Sequence, residues 1–225
     1  MSSERAITGA IFDCDGTLLD SLPRWRGVEQ MLAHEAGAVV TPEESDLFVS
    51  FTIPEVAQYF HEHFGLGANV SAVVAMIDDY MMAYYEGDAQ LLPGVGALLE
   101  SCASAGVRMS VASSSAHLYL ETGLKRVGVF DLFDAVLSVD DVAASKREPL
   151  IFARAREAMG TEIPLTWGFD DSVYAIQTMR QAGFPVVGIF DQETEVDRAA
   201  VEQASTCAVG NLDGVLVSAG KLVLP

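Results

Sequence analysis

The order of apolar and polar positions separates the chain into two kinds of pattern. In its C-terminal two thirds, short apolar runs of strand length alternate with segments of helical periodicity, and one similar run lies near the start. The predicted strands span 7–12, 107–112, 135–139, 165–169, 185–190 and 206–209. Because strands that alternate with helices favour a parallel sheet covered on both faces, this part predicts an α/β fold.

The predicted helices between these strands have recognisable ends. Pro149 opens a helix over 150–159, and Gly160 follows its last residue. Further helices are predicted from about Ser115, over 172–182 and over 193–204. Proline near helix starts and glycine just beyond helix ends is the usual asymmetry. Asn211 is expected to cap one more helix near the end of the chain.

Residues 21–88 interrupt the alternation directly after the first strand. Helices are predicted over 22–36, from Pro42, over 54–63 and after Asn69. The last of them has apolar residues at helical spacing, namely Val70, Val73, Val74, Ile77, Met81 and Tyr84. We therefore interpret 21–88 as a helical insertion, and 1–20 with 89–225 as the α/β domain.

Composition and charge exclude several classes of protein. Half of the 225 residues are apolar, which supplies a sizeable core and excludes global disorder. The net charge of −19 makes a nucleic-acid partner unexpected, because an acidic surface repels phosphates. No apolar run approaches the roughly 20 residues of a membrane helix, and the one near the start is too short for a secretory signal. We therefore expect a cytoplasmic protein with no membrane partner.

Two aspartates end the first predicted strand, in the segment Ile-Phe-Asp-Cys-Asp-Gly-Thr at 11–17. The two-residue period of a strand would place Asp13 and Asp15 on one face, at the sheet edge where open α/β folds bind ligands. Gly16 would allow a tight turn close to a ligand. Aspartate and glycine are also ordinary turn residues, so this segment alone leaves that alternative open.

Three other segments carry polar side chains after strands or before helices. Asp170 and Asp171 would repel each other without a nearby cation such as Mg²⁺, although one of them could cap a helix. Ser113 and Ser114 could hold a phosphate oxygen, and Lys146 alone would be an ordinary surface lysine. Together the segments supply a cation site, a phosphate site, a fixed ammonium and a nucleophile, which phosphoryl transfer requires.

In order and spacing these segments resemble the haloacid dehalogenase superfamily, in its phosphatase and phosphomutase branch with a small helical cap. The family motifs are an Asp-x-Asp-Gly-Thr segment, a strand-ending serine, a lysine and an acidic pair, matched here by Asp13, Asp15, Gly16, Thr17, Ser113, Lys146, Asp170 and Asp171. The resemblance covers essentially the whole chain. It implies a Rossmann-like parallel sheet with the first strand central, and an all-helical cap domain at 21–88.

The resemblance also implies residue roles. Asp13 would be the nucleophile that forms an aspartyl-phosphate, and Asp15 the general acid and then the general base. Ser113 and Lys146 would bind the phosphoryl oxygens. The Mg²⁺ ligands would be Asp13, the backbone carbonyl of Asp15 and Asp171, with Asp170 bound directly or through water. The chain departs from the common motifs at Arg147, Asp170 and Ala175, where proline, glutamate and glycine are usual, but these departures remove no catalytic group.

In this branch of the family the cap closes over the site and selects the substrate. Its only lysine or arginine residues are Arg24 and Arg26, and either could contact the substrate. We predict the contact for Arg24, with pairing to surface acids such as Glu29 as the alternative. Thr52 is predicted to line the pocket, with an N-cap role as its alternative. Near the nucleophile, substrate contacts are predicted for Gly16, Thr17 and Ser114.

The sequence thus predicts a Mg²⁺-dependent phosphatase that acts on a small phosphomonoester metabolite of the sugar or polyol phosphate type. One alternative is a phosphomutase of the β-phosphoglucomutase kind, which uses the same core residues. Another is a non-catalytic binding module with the same fold. The expected assembly is a monomer or a small homo-oligomer.

Overall fold

The computed structural model describes residues 5–48, 51–190 and 195–225. The chain divides into two compact units, which are Met1–Asp20 with Ala89–Pro225, here called the core unit, and Ser21–Asp88, here called the helical unit. The strands, all in the core unit, are β1 Gly9–Phe12, β2 Arg108–Ser113, β3 Ala135–Ser138, β4 Thr166–Asp170, β5 Val186–Ile189, β6 Cys207–Val209, β7 Leu216–Ser218 and β8 Lys221–Val223.

The helices belong to both units. Those of the helical unit are α1 Leu22–Ala36, α2 Pro42–Phe48, α3 Ile53–Phe64 and α4 Val70–Gly87. Those of the core unit are α5 Val95–Ser104, α6 His117–Arg126, α7 Val139–Val142, α8 Leu150–Met159, α9 Val173–Gln181 and α10 Glu195–Ala204. The predicted start of α10, at Glu193, lies outside the described residues.

Six strands form one parallel sheet in the order β3-β2-β1-β4-β5-β6. In the middle of the sheet, Gly9 of β1 is in register with Arg108 of β2 and Thr166 of β4. Every residue of β1 is buried, as expected of a parallel strand that is covered on both faces. The Rossmann-like α/β fold predicted from the sequence, with β1 central, is therefore confirmed.

The predicted and observed elements differ most at the end of the chain. The expected helix after Asn211 is wrong, because β7 and β8 form an antiparallel hairpin there. The Asn211 side chain instead accepts a hydrogen bond from the backbone N–H of Asp213 at 2.9 Å, which makes a local turn. Val217 is buried between two exposed neighbours in β7. This alternation of burial is the two-residue period of a strand and not that of a helix.

Gly94 lies at a close approach of two backbone segments in the core unit. Its φ of +81° is left-handed, and a Cβ there would lie 2.2 Å from the carbonyl carbon of Leu212. We expect Gly94→Ala to lower the free energy of unfolding by at least about 2 kcal/mol, measured by urea denaturation. Gly96→Ala is the matched control, since its Cβ would meet Leu91 at an ordinary 3.8 Å. An equal loss in both variants would contradict this explanation.

Helix α4 contributes a capped N-terminus and a buried apolar face to the helical unit. Asn69 caps α4, because its side chain accepts a hydrogen bond from the Ala72 N–H at 2.9 Å. The helix buries Val73, Ile77, Met81, Tyr84 and Tyr85. Of the helical stripe predicted from the sequence, Val73, Ile77, Met81 and Tyr84 are buried, whereas Val70 and Val74 are half-buried. None of the helices in the described part of the chain has the length and apolar character needed to cross a bilayer.

Candidate functional site

The carboxyl ends of the central strands bring the predicted catalytic residues into one region. Asp13 directly follows β1, and its backbone N–H donates to the carbonyl of Phe169 in β4 at 2.9 Å. Ser113 and Asp170 are the last residues of β2 and β4. Because all three strands are parallel neighbours, their polar ends share one edge of the sheet.

Lys146 joins two of these carboxylates. Its Nζ lies 2.8 Å from Oδ1 of Asp13 and 2.7 Å from Oδ2 of Asp170, and its side chain is only 2% exposed. Burial opposes the charged ammonium, but the carboxylates of Asp13 and Asp170 outweigh burial and raise the pKa of Lys146. The lysine therefore stays a fixed positive charge at the sheet edge, and it is not the surface lysine that its sequence alone would suggest.

Three acids form a cluster that is suited to a metal ion. Oxygen atoms of Asp13, Asp170 and Asp171 all lie within 4.8 Å of one another. Burial and the two neighbouring carboxylates raise the pKa of Asp13, although Lys146 opposes this. Burial and the adjacent Asp170 raise the pKa of Asp171 to about 7. Lys146 thus compensates only incompletely for this cluster, in which Asp13 and Asp170 are buried and Asp171 is half-buried. An all-oxygen donor set of this kind fits a hard divalent cation.

Asp170 also has the local role that the sequence left open. Its Oδ1 accepts a hydrogen bond from the Ser172 N–H at 2.9 Å, just before α9 begins, while its Oδ2 faces Lys146. Asp171 accepts a longer hydrogen bond, of 3.3 Å, from the Ser172 hydroxyl. One aspartate therefore orders the start of the helix, and both remain in the acid cluster.

The chain turns tightly after Asp13. The carbonyl of Cys14 accepts hydrogen bonds from the N–H groups of Leu18 and Leu19, both at 2.8 Å. Gly16 has a φ of +83°, a left-handed conformation that glycine adopts without strain. Thr17 is completely buried, and its hydroxyl has no hydrogen-bond partner among the described residues. The substrate contacts predicted for Gly16 and Thr17 stay predictions.

Asp15 has a partner that the sequence did not reveal. The hydroxyl of Ser115 donates a hydrogen bond to Oδ2 of Asp15 at 2.6 Å. Ser115 belongs to the same serine segment as Ser113, whose Oγ accepts a hydrogen bond from the Ser115 N–H at 3.1 Å. Ser114, predicted to contact the substrate, is exposed, and that role stays a prediction. A serine two residues beyond a strand end was the available signal for Ser115, but it is a weak one.

The two predicted substrate contacts in the helical unit have partners within that unit. The Arg24 guanidinium lies over the ring of Tyr80 and donates to the Tyr80 carbonyl from Nε and Nη2, at 3.2 and 2.8 Å. The Thr52 N–H and hydroxyl both donate to Oε2 of Glu55, at 2.7 and 2.8 Å, at the start of α3. Both residues therefore have structural roles, and their contacts with substrate stay predictions.

The departure from the usual proline after the lysine has a structural counterpart. The Arg147 guanidinium lies over the ring of Tyr174 in α9, 4.7 Å from its centroid. This cation–π contact ties the Lys146 segment to the helix that follows the acid cluster.

Comparison with known proteins identifies the family. A family model described as a haloacid dehalogenase-like hydrolase matches residues 7–183, which is more than half of the chain. The chain belongs to the haloacid dehalogenase-like hydrolase family. The resemblance seen in the sequence and the expectation of an enzyme are thereby confirmed.

Relatives of this haloacid dehalogenase-like hydrolase include named phosphatases. Phosphoglycolate phosphatase of Yersinia pseudotuberculosis is 28% identical over 193 residues, covering 82% of each chain. Hexitol phosphatase B of Escherichia coli is 29% identical over 179 residues, and the alignment covers 77% of this chain and 79% of the phosphatase. A solved structure of a candidate β-phosphoglucomutase from Thermotoga maritima aligns with a TM-score of 0.80 at 19% identity, covering 92% of this chain and 96% of its own. That last likeness concerns the fold alone.

Proposed function

We propose that this hydrolase is a Mg²⁺-dependent phosphatase of a small phosphomonoester metabolite and that it works through an aspartyl-phosphate. Phosphoric monoester hydrolysis is the enzyme class that its family and its relatives named as phosphatases indicate. The observation that carries the proposal is the buried Lys146 ammonium between Asp13 and Asp170 at the carboxyl ends of the central strands. This arrangement offers a carboxylate and a positive charge to the same phosphoryl group.

In the proposed first step, a carboxylate oxygen of Asp13 attacks phosphorus and the P–O bond to the leaving group breaks. Asp15 gives its proton to the leaving oxygen, which departs as an alcohol. In the second step Asp15 takes a proton from water, whose oxygen attacks phosphorus. The bond to Asp13 then breaks, and inorganic phosphate leaves with the carboxylate of Asp13 restored.

Two groups would stabilise the charge on the transferred phosphoryl oxygens. The Lys146 ammonium is fixed by its two carboxylate partners, so it needs no reorganisation when charge develops. The Ser113 hydroxyl lies at the end of the neighbouring strand, and it is almost completely buried. These local groups also explain how a protein with a net charge of −19 could accept an anionic substrate.

A divalent metal would be held by the carboxylates of Asp13, Asp170 and Asp171, with the backbone carbonyl of Asp15 as a further proposed ligand. Their spacing supports this assignment, as does the excess of buried acid over the single ammonium. When bound, Mg²⁺ would supply positive charge that neutralises the acids and the phosphoryl oxygens. Mg²⁺ is the ion proposed from the all-oxygen donor set.

The pKa of Asp171 predicts how Mg²⁺ binding varies with pH. Since burial and Asp170 raise this pKa from 3.8 to about 7, the carboxyl must lose a proton before it can bind the ion. We expect at least about tenfold tighter Mg²⁺ binding at about pH 8 than at about pH 5.5, measured by calorimetry without substrate. Asp171→Asn should weaken this pH dependence. An affinity of the native enzyme that is constant over this range would contradict the prediction.

The substrate class is proposed to be sugar or polyol phosphates. A relative named hexitol phosphatase B supports this class. The relatives named for phosphoglycolate, a phosphorylated hydroxy acid, support a small phosphomonoester but not a sugar or polyol in particular. The test is a panel of phosphometabolites with Mg²⁺, scored by kcat/KM for release of inorganic phosphate. A preferred phosphomonoester that releases phosphate supports the proposal. Isomerisation of a sugar phosphate without net release would favour the mutase, and a folded, Mg²⁺-loaded protein inert on the whole panel would favour a binding module. The cytoplasmic location and the oligomeric state stay predictions.

A further inference from the structure

Ser115 is held on both sides of its backbone by the ends of two strands. Its N–H donates to Oγ of Ser113, the last residue of β2, at 3.1 Å. Its carbonyl accepts from the hydroxyl of Ser138, the last residue of β3, at 2.8 Å. With the donor and the acceptor of its peptide groups fixed in this way, the direction of its Cβ is fixed as well.

The fixed backbone aims the Ser115 hydroxyl at Asp15. The distance of 2.6 Å between Oγ and Oδ2 is that of a short hydrogen bond to a charged group. The two residues are 100 positions apart in the chain, so the fold and not a local turn brings them together. All residues in this connection belong to the core unit.

Ser138 is itself held in place. It is completely buried, and its N–H donates to Oδ2 of Asp141 at 2.8 Å. Its Oγ also accepts from the N–H of Asp140 at 3.2 Å, which leaves its proton for the Ser115 carbonyl. The last residues of β2 and β3 therefore both hold the backbone of Ser115. The side chain of Ser115 in turn contacts Asp15, which lies three residues beyond the end of β1.

We propose that Ser115 is a positioning residue that orients the carboxyl group of Asp15 for proton transfer to the leaving group. This inference rests on the proposed phosphatase function. A hydroxyl can donate to a carboxylate and accept from a carboxyl group, so the contact can persist through both steps of the cycle. Alanine at this position would remove the hydroxyl that contacts Oδ2 of Asp15, whereas threonine would keep a hydroxyl in reach.

The leaving group provides a readout that a merely structural role would not change. An alkyl phosphate needs a proton on its leaving oxygen, whereas 4-nitrophenyl phosphate releases a stable anion without one. The parameter kcat/KM reports phosphoryl transfer to the enzyme and not the later hydrolysis. We expect Ser115→Ala to lower kcat/KM by about 10- to 100-fold for an alkyl phosphate and by less than about 3-fold for the nitrophenyl ester.

The experiment measures both substrates with native enzyme and four variants. Ser115→Thr should recover most of the alkyl phosphate activity. Ser138→Ala should also lose more kcat/KM on the alkyl phosphate than on the nitrophenyl ester, but by a smaller factor. This second variant keeps the proposal testable if Ser115→Ala does not fold. Ser101→Ala is the control, because its hydroxyl bonds Leu98 and Val217 outside the site, and its loss should change neither rate. Equal losses on both substrates in Ser115→Ala and Ser138→Ala, or no loss, would overturn the positioning role. Native enzyme inactive on both substrates would instead overturn the proposed function.

Discussion

Replacement of Asp13 by asparagine is expected to lower kcat by at least about 10⁴-fold, to the detection limit of a phosphate-release assay. The physical reason is that an amide cannot form the proposed bond to phosphorus. Asparagine keeps the size of the side chain, so the geometry around the strand end should persist. The loss should appear with activated aryl phosphates as well as alkyl phosphates, because the nucleophile is needed for every leaving group.

The fold of Asp13→Asn should stay intact. Burial and two neighbouring acids disfavour the carboxylate of Asp13, so the neutral amide removes that penalty while it also removes an attraction to Lys146. Lys146 keeps its contact with Asp170 at 2.7 Å. We therefore expect a similar Tm in the native and variant enzymes. Asp20→Asn, the same change at an exposed position nearby, is the control and should retain activity. Substantial turnover by Asp13→Asn would contradict its role as nucleophile.

Replacement of Lys146 by alanine is expected to lower kcat by about 10²- to 10³-fold, as for loss of one charge-stabilising group. Steady-state rates of phosphate release measure it. The change also leaves two buried carboxylates without their ammonium, which costs about 3 to 5 kcal/mol of stability in buried pairs of this kind. We therefore expect a lower Tm, and rates must be taken at a temperature where circular dichroism shows a folded variant.

A small amine separates the chemical effect from the structural one. Ethylammonium could occupy the space of the deleted side chain, and it should raise the kcat of Lys146→Ala in a concentration-dependent way. Lys125→Ala is the matched control, because that lysine is exposed and pairs with Glu121 on the surface. An unchanged kcat in folded Lys146→Ala would mean that this lysine does not stabilise the transferred phosphoryl group.

Much of the sheet could be predicted because its strands are short apolar runs with clear boundaries. β1 is an example, because its apolar run ends at Phe12 and the motif with Asp13 and Asp15 begins at the next residue. The terminal hairpin could not be predicted with the same rules. The Asn211 side chain serves turns and helix caps equally well, so local chemistry does not decide between them.

Contacts between distant segments account for the rest of what the sequence could not show. Lys146 looks like a loop lysine until the fold places it between Asp13 and Asp170. Ser115 looks like a turn serine until its hydroxyl meets Asp15. Residue type and spacing predict which groups lie at strand ends, whereas hydrogen-bond partners depend on how the strands are ordered in the sheet.

The most direct test of the proposed chemistry is a single-turnover experiment on the native enzyme with Mg²⁺ and its preferred substrate. Acid quench during turnover, followed by peptide mass spectrometry, locates the transferred phosphoryl group. We predict a labile phosphoryl group on Asp13, absent from Asp13→Asn. A phosphoryl group on another residue, or none at any quench time while phosphate is released, would contradict covalent catalysis by Asp13.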